Sequence, residues 1–131
     1  MPLYTITTQA GVLSAEAKRD LAEKLTSFHS QYADLPRNWV HIVFHDYAPR
    51  DGFTAGKTAA TVALTLLIRA GRSNAYKREM LQQLWRLLQS ATGAPDEQIV
   101  LAIQEGPASN AMEMGKIMPD VPEISPIGEG M

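Results

Sequence analysis

Proline stands at position 2, directly ahead of the strand-like run Leu3-Tyr4-Thr5-Ile6-Thr7. A penultimate proline is small enough for routine removal of the initiator methionine, which would leave a secondary amine as the first group of the chain. A free α-amino group titrates at about 7.7–8.0, far below lysine, so burial or neighbouring cations bring it to neutrality near pH 7. Pro2 is therefore a candidate general acid or base; the ordinary alternative is a chain that merely begins Met-Pro. A retained Met1 would turn the same nitrogen into an amide without basicity. The second chemical feature is Arg69-Ala70-Gly71-Arg72, a turn between an apolar strand pattern and a helix. Two guanidiniums there, above the free N–H groups of a helix start, suit an anion, and a carboxylate is the natural guest. The same cations disfavour a protonated amine at Pro2. As plain turn residues, Arg69 and Arg72 would simply be solvated.

A repeated pattern must position these groups. Leu3 to Thr8 reads as a strand with Pro2 at its first position, where proline is tolerated. Gly11 breaks it, and Ser14 caps a helix with Glu16 in its first turn. Leu21, Leu25, Phe28 and Tyr32 then recur at helical spacing over about 15–33. Pro36 ends that helix, and Trp39 to His45 alternates as a second strand. After a loop from Pro49 through Gly52 and Gly56, Thr61 to Ile68 forms a third strand. Ser73 caps a helix marked by Met80, Leu84, Leu87 and Ala91 and closed near 92 by Gly93 and Pro95. Ile99 to Gln104 is the fourth strand, and Ser109 or Asn110 is a candidate cap for a short helix through Lys116.

Ala10-Gly11 matches Ala70-Gly71, and Ser14 matches Ser73, so the chain reads as two βαβ units over about 2–49 and 60–107. The expected fold class is α/β (α+β): a four-stranded sheet with both helices on one face, and strand one beside strand three in a parallel arrangement. One domain over 1–118 is expected, followed by a Pro/Gly-rich tail over 119–131 without a core of its own. Val62, Leu64, Leu66 and Ile68 alternate with Ala63, Thr65 and Leu67, which makes the third strand apolar on both sides. Two helices cover one side. Burying the other gains about 25 cal/mol per Å² of apolar surface, which points to neighbouring subunits and to the tail as a clamp across them.

Composition narrows the classes of function. A chain of 131 residues, 45% hydrophobic and 20% charged, is an ordinary globular domain. A net charge of −2 with scattered Lys and Arg gives neither a nucleic-acid nor a membrane surface. The apolar run Val62 to Ile68 is too short to span a bilayer, and no basic-then-apolar leader opens the chain, so a cytoplasmic location is expected. The absence of cysteine removes disulfides, thiolate nucleophiles and Cys-ligated metals. His41 and His45 share a strand face about 13 Å apart at roughly 3.3 Å per residue, too far for one ion, so no metal is expected. Gly52-x-x-x-Gly56-Lys57-Thr58 falls short of a phosphate loop, and no cofactor is expected. Trp39 and Trp85 read as core or interface.

The run "IRAGRSNAYKREML" resembles the signature of the 4-oxalocrotonate tautomerase superfamily, in which a Gly-Arg-Ser turn opens the helix of a βαβ unit. The opening "MPLYTITTQAGVLSAEAK" resembles that family's N-terminus. With two fused units, the chain is most similar to the cis-3-chloroacrylic acid dehalogenase subgroup over about residues 2–119. Further matches are "KLTSFHSQYAD", carrying His29, and "GPASNAMEMGKIMP", carrying Glu113. The resemblance implies a tautomerase/MIF-like fold, a homotrimer, a catalytic proline at Pro2, carboxylate-binding Arg69 and Arg72, a substrate-binding His29 and a water-activating Glu113. On the residues themselves, His29 falls on the helix flank that faces the sheet, as a ligand or as a satisfied core histidine. Glu113, between Met112 and Met114 in the expected short helix, is either an acid needing a partner or a surface glutamate.

One position departs from the subgroup. Where the dehalogenases place a tyrosine on the last strand, "IVLAIQEG" has Ala102, leaving Tyr4 or Tyr76 as phenols that reach the site from elsewhere. Losing such a donor typically costs about 10²–10³ in rate. Enol–keto tautomerisation asks only for a base near neutrality and a carboxylate clamp. The expectation is a cofactor-free tautomerase acting on a small 2-oxo or enol carboxylate such as phenylpyruvate. The alternatives are a cis-3-haloacrylate dehalogenase or hydratase, and a non-catalytic trimeric binding protein with a vestigial site.

Overall fold

Two serines start the helices. In the computed structural model, which describes residues 1–122, Ser14 Oγ accepts the Ala17 N–H and Ser73 Oγ accepts the Tyr76 N–H, each at 3.0 Å. The helices they open are α1 (Ala15–Ala33) and α2 (Asn74–Thr92). The strands are β1 (Leu3–Gln9), β2 (His41–Tyr47), β5 (Val62–Arg69) and β6 (Ile99–Gly106), with short pairs β3 (Phe53–Thr54)/β4 (Lys57–Thr58) and β7 (Met112–Glu113)/β8 (Lys116–Ile117). The protein is the expected α+β fold of two βαβ units with one four-stranded sheet, in the order β2-β1-β5-β6.

Within each unit the strands are parallel, as a helical crossover requires. Between units the expectation of a parallel pair is wrong: β1 and β5 run antiparallel, with Leu3 opposite Leu67 and Thr7 opposite Ala63. The reason lies at the end of β2. Tyr47 Oη donates to the Thr61 carbonyl at 3.0 Å, so β5 sets off from the end where β1 finishes and runs back along it.

The core lies between the helices and one sheet face. Val62, Leu64, Leu66 and Ile68 are buried there with Tyr4, Ile6, Leu21, Leu25, Met80 and Leu84. Leu88 and Tyr76 complete the buried stripe of α2, while Leu87 and Ala91 sit at its flank, partly buried. The other face stays open: Val43 is 45% and Val100 58% exposed.

Three local expectations change. The second strand starts at His41 because Arg37–Trp39 forms a 3₁₀ turn after Pro36. The loop after Pro49 contains the β3/β4 hairpin. The short helix through Lys116 is absent: Ala108–Asn110 is a 3₁₀ turn, and β7/β8 follows as a hairpin. Met114 and Gly115 turn it at φ 54° and 75°, the left-handed pair that matches the twist of hairpin strands. Of the tail expected over 119–131, residues from 123 on lie outside those described.

Candidate active site

Antiparallel pairing decides what meets what. Continuing the Leu3–Leu67 register places the start of β1 beside the end of β5, and so beside Arg69. In a parallel pair the seven intervening residues, at about 3.3 Å each, would hold them more than 20 Å apart. Met1, His29, Ile68, Arg69, Arg72 and Tyr76 line one cavity at this junction. Its free volume is about 20 Å³, room for a single water. Met1 itself is 8% exposed and forms part of the cavity wall.

Each predicted residue has a defined place. Pro2 is buried at the start of β1, and its carbonyl accepts the His41 N–H at 3.1 Å. His29 is on the buried face of α1, 2% exposed, with Nδ1 2.7 Å from Tyr4 Oη. Arg69 is 4% exposed and lies over the Trp39 ring at 5.4 Å, and its Nη1 donates to the Pro119 and Asp120 carbonyls at 2.6 and 3.2 Å. Arg72 lies 4.8 Å over the Tyr76 ring. Among the described residues, no carboxylate closes an ion pair with either arginine.

Glu113 lies on β7, not on a helix, and the hairpin carries it to the Met1 amino group, with which it forms an ion pair. His41 Nε2 stands 3.8 Å from its other oxygen. Beyond that ion pair, neither carboxylate oxygen has a hydrogen-bond partner among the described residues, although the side chain is only 15% exposed. Ala102 is exposed on the open sheet face, opposite Thr65, and does not line the cavity.

Electrostatics in the cavity favour neutral nitrogen. Burial, helped by Arg69, pulls the Met1 amine from 8.0 down to about 6, while the Glu113 carboxylate acts in the opposite sense. Burial, Arg72 and the terminal amine hold His29 at about 3, so its imidazole is uncharged at neutral pH. Burial and Arg72 also pull Arg69 below its ordinary value. The arrangement thus offers a buried and a half-buried cation for an anion, a neutral imidazole, a nearby carboxylate, and a chain start whose amine is held near neutrality.

A model of the family described as "Putative oxalocrotonate tautomerase enzyme" matches residues 1–125. This chain belongs to that family. No protein of curated function matches it in sequence. Among solved structures, native Ps01740 is 37% identical with a TM-score of 0.82, over 86% of this chain and 100% of its own. N1, a member of the cis-3-chloroacrylic acid dehalogenase family, is 30% identical with a TM-score of 0.86, over 92% and 85% of the two chains. A fused 4-OT symmetric trimer has the same fold, with a TM-score of 0.80 at 20% identity over 89% and 95%. These likenesses place the chain in the tautomerase superfamily, with the dehalogenase-like subgroup.

Some parts of this tautomerase-family site do not follow from spacing in the sequence. His41, weighed only as half of a metal pair with His45, stands beside Glu113. The carbonyls of Pro119 and Asp120 occupy one nitrogen of Arg69. A signal for the hairpin was present: "TAGKT" at 54–58 and "EMGKI" at 113–117 repeat the same turn.

Proposed function

We propose that the protein is a cofactor-free tautomerase of small 2-oxo or enol carboxylates, with Pro2, freed by removal of Met1, as its acid and base. The observation that carries this reading is the register that brings the chain start against two guanidiniums, Arg69 buried and Arg72 half-buried. The depressed Met1 amine indicates the field that the Pro2 nitrogen would meet once exposed. Removing Met1 would also enlarge the cavity it helps to line.

The substrate carboxylate would pair with Arg72 and with the nitrogens of Arg69 that the 119–120 carbonyls leave free. His29 would donate to the oxygen at C2. The neutral amine would take the enol hydroxyl proton as the carbonyl forms, and the resulting ammonium would deliver a proton to C3. Atoms balance and no other reactant is needed. An amine near neutrality suits both transfers.

Glu113 favours a second reading. A poorly solvated carboxylate beside the amine suits activation of water, and N1 is assigned to the cis-3-chloroacrylic acid dehalogenase family. Ala102 weighs against efficient hydration or dehalogenation. Halide release from cis-3-chloroacrylate, without turnover of the phenylpyruvate enol, would make this the better reading.

The open sheet face, with Val43 and Val100 exposed, supports a homo-oligomer, and the fused 4-OT trimer favours a homotrimer. No helix among the described residues is long and apolar enough to cross a membrane; the cytoplasmic location proposed with this activity rests on the sequence reading alone. The deciding experiment joins intact mass to an assay of phenylpyruvate enol ketonisation. A chain lacking Met1 that turns over the enol, and loses most of that rate in Pro2→Ala, supports the proposal. A fully retained Met1 favours a binding protein without chemistry.

A further inference from the structure

Tyr4 stands two residues beyond Pro2 on the same, core-facing side of β1. Its ring meets His29 edge-on, with centroids 5.5 Å apart and planes at 90°, and its Oη lies 2.7 Å from His29 Nδ1. Tyr4 is 0% and His29 2% exposed, so water does not compete for this bond.

We infer that Tyr4 is a positioning residue that holds His29 in one neutral tautomer, with the proton on Nε2 available to the cavity as a hydrogen-bond donor. The inference rests on the proposed function for what the donor would meet, the oxygen at C2 of the substrate. It rests on the structure alone for the tautomer.

Proton accounting leads there. A phenol in this core keeps its proton, because burial and the neighbouring Tyr76 push its pKa far up. Its O–H needs an acceptor, and the hydrogen bond the structure gives it is to His29 Nδ1. A nitrogen that accepts carries no proton. A neutral imidazole then has its one hydrogen on Nε2, the nitrogen that Tyr4 leaves free in a ring lining the cavity. The groups facing that ring are Tyr4 from β1, Arg72 before α2 and the terminal amine. Both charged neighbours oppose a second proton. His29 is therefore a donor rather than a base, which leaves the proton transfers to the amine.

The reverse arrangement, with Nδ1–H donating to Tyr4, would strand the phenol hydrogen in the core. It would also turn a bare Nε2 lone pair toward a site built for anions.

The test reads the tautomer directly. Long-range ¹H–¹⁵N correlation spectra of uniformly labelled protein at pH 7 should show His29 with a protonated Nε2 and a bare Nδ1, unchanged down to pH 5. A protonated Nδ1, an even mixture, or titration near pH 6 overturns the inference, whether or not the protein has activity. In Tyr4→Phe the His29 signals should move toward a mixture of tautomers, and kcat on the phenylpyruvate enol should fall about 10–100-fold, with KM changing less. In a His29→Gln background the Tyr4→Phe change should cost less than about twofold, because the group being positioned is gone. A full additive loss there would mean that Tyr4 acts otherwise, and would overturn the inference. If Tyr4→Phe does not fold, the wild-type spectra still decide. Absence of turnover with every enol tried would sink the proposed function and leave the tautomer result standing.

Discussion

At one end of the central strand pair, Thr54, Thr61 and Gln98 hydrogen-bond one another at 3.0–3.2 Å. At the other end, the matching hairpin carries Glu113 to the first residue of the chain. The backbones correspond closely: the Ala59 N–H meets the Gly52 carbonyl as the Met118 N–H meets the Ala111 carbonyl, each at 2.9 Å. Thr54 pairs with Lys57 as Glu113 pairs with Lys116. Where one turn has Gln9 and Val12 around Gly11, the other has Arg69 and Arg72 around Gly71. The neutral end satisfies itself, with Tyr47 donating to the Thr61 carbonyl. The charged end leaves two cations and a carboxylate without full partners. The scaffold serves both ends equally, so what separates them, and what the proposed chemistry would use, is a handful of side chains.

Substitutions that hit one end and spare the other break this comparison most directly. Pro2→Ala should lower phenylpyruvate enol turnover by about 10²-fold or more, the scale of a lost acid–base group. Thr61→Val, its near-counterpart across the pseudo-symmetry, should change the rate less than twofold in the same assay. Arg72→Ala should raise KM for the carboxylate about 10–100-fold, as expected for a lost charged hydrogen bond.

The two turn glycines sharpen it further. Gly11 and Gly71 have φ of 95° and 122°, so alanine strains both by about 1–2 kcal/mol. At Gly71 an added Cβ would also fall 2.5 Å from Val121 Cγ2, whereas at Gly11 nothing lies within 4 Å. Gly71→Ala should therefore lower Tm more than Gly11→Ala, and should alone alter KM by displacing the segment that engages Arg69. Calorimetry and kinetics on both variants check this.

The remaining contrast is in pH dependence. His29 is held near 3 in the folded protein against an ordinary 6.5. The unfolded chain takes up this proton first as pH falls, so the contribution is present above about 6.5 and lost progressively toward 3. The slope is at most about 1.4 kcal/mol per pH unit. Denaturant titrations from pH 7 to 4 should show a shallower loss in His29→Gln than in the wild type.

Features fixed by local chemistry were legible in the sequence. Ser14 and Ser73 cap where their types predict, and the second helix ends at Gly93 as expected, while the first stops at Asp34 in the αL conformation, two residues before the expected Pro36. The two-sided apolar pattern of Val62–Ile68 correctly gave one covered face and one open face. The antiparallel β1–β5 pair was not legible, because a tether from Tyr47 to Thr61 sets it and the strand patterns do not. Two-residue strands are too short to show a period of two, so the sequence around Glu113 reads as a short helix. The Glu113–His41 approach joins residues 72 positions apart, since 113 − 41 = 72, and no spacing rule sees that far. The clustering of His29, Arg69 and Arg72 was anticipated from motif resemblance. Their enclosure by Met1 and by the Pro119 and Asp120 carbonyls was not.

Met1 forms part of the wall of the cavity, and this bears on how the protein is made. Under the proposed chemistry, aminopeptidase trimming acts as the on-switch, and a cell producing the chain faster than it trims would yield two populations. Both would share one fold, yet preparations from different hosts would differ in specific activity in proportion to the trimmed fraction.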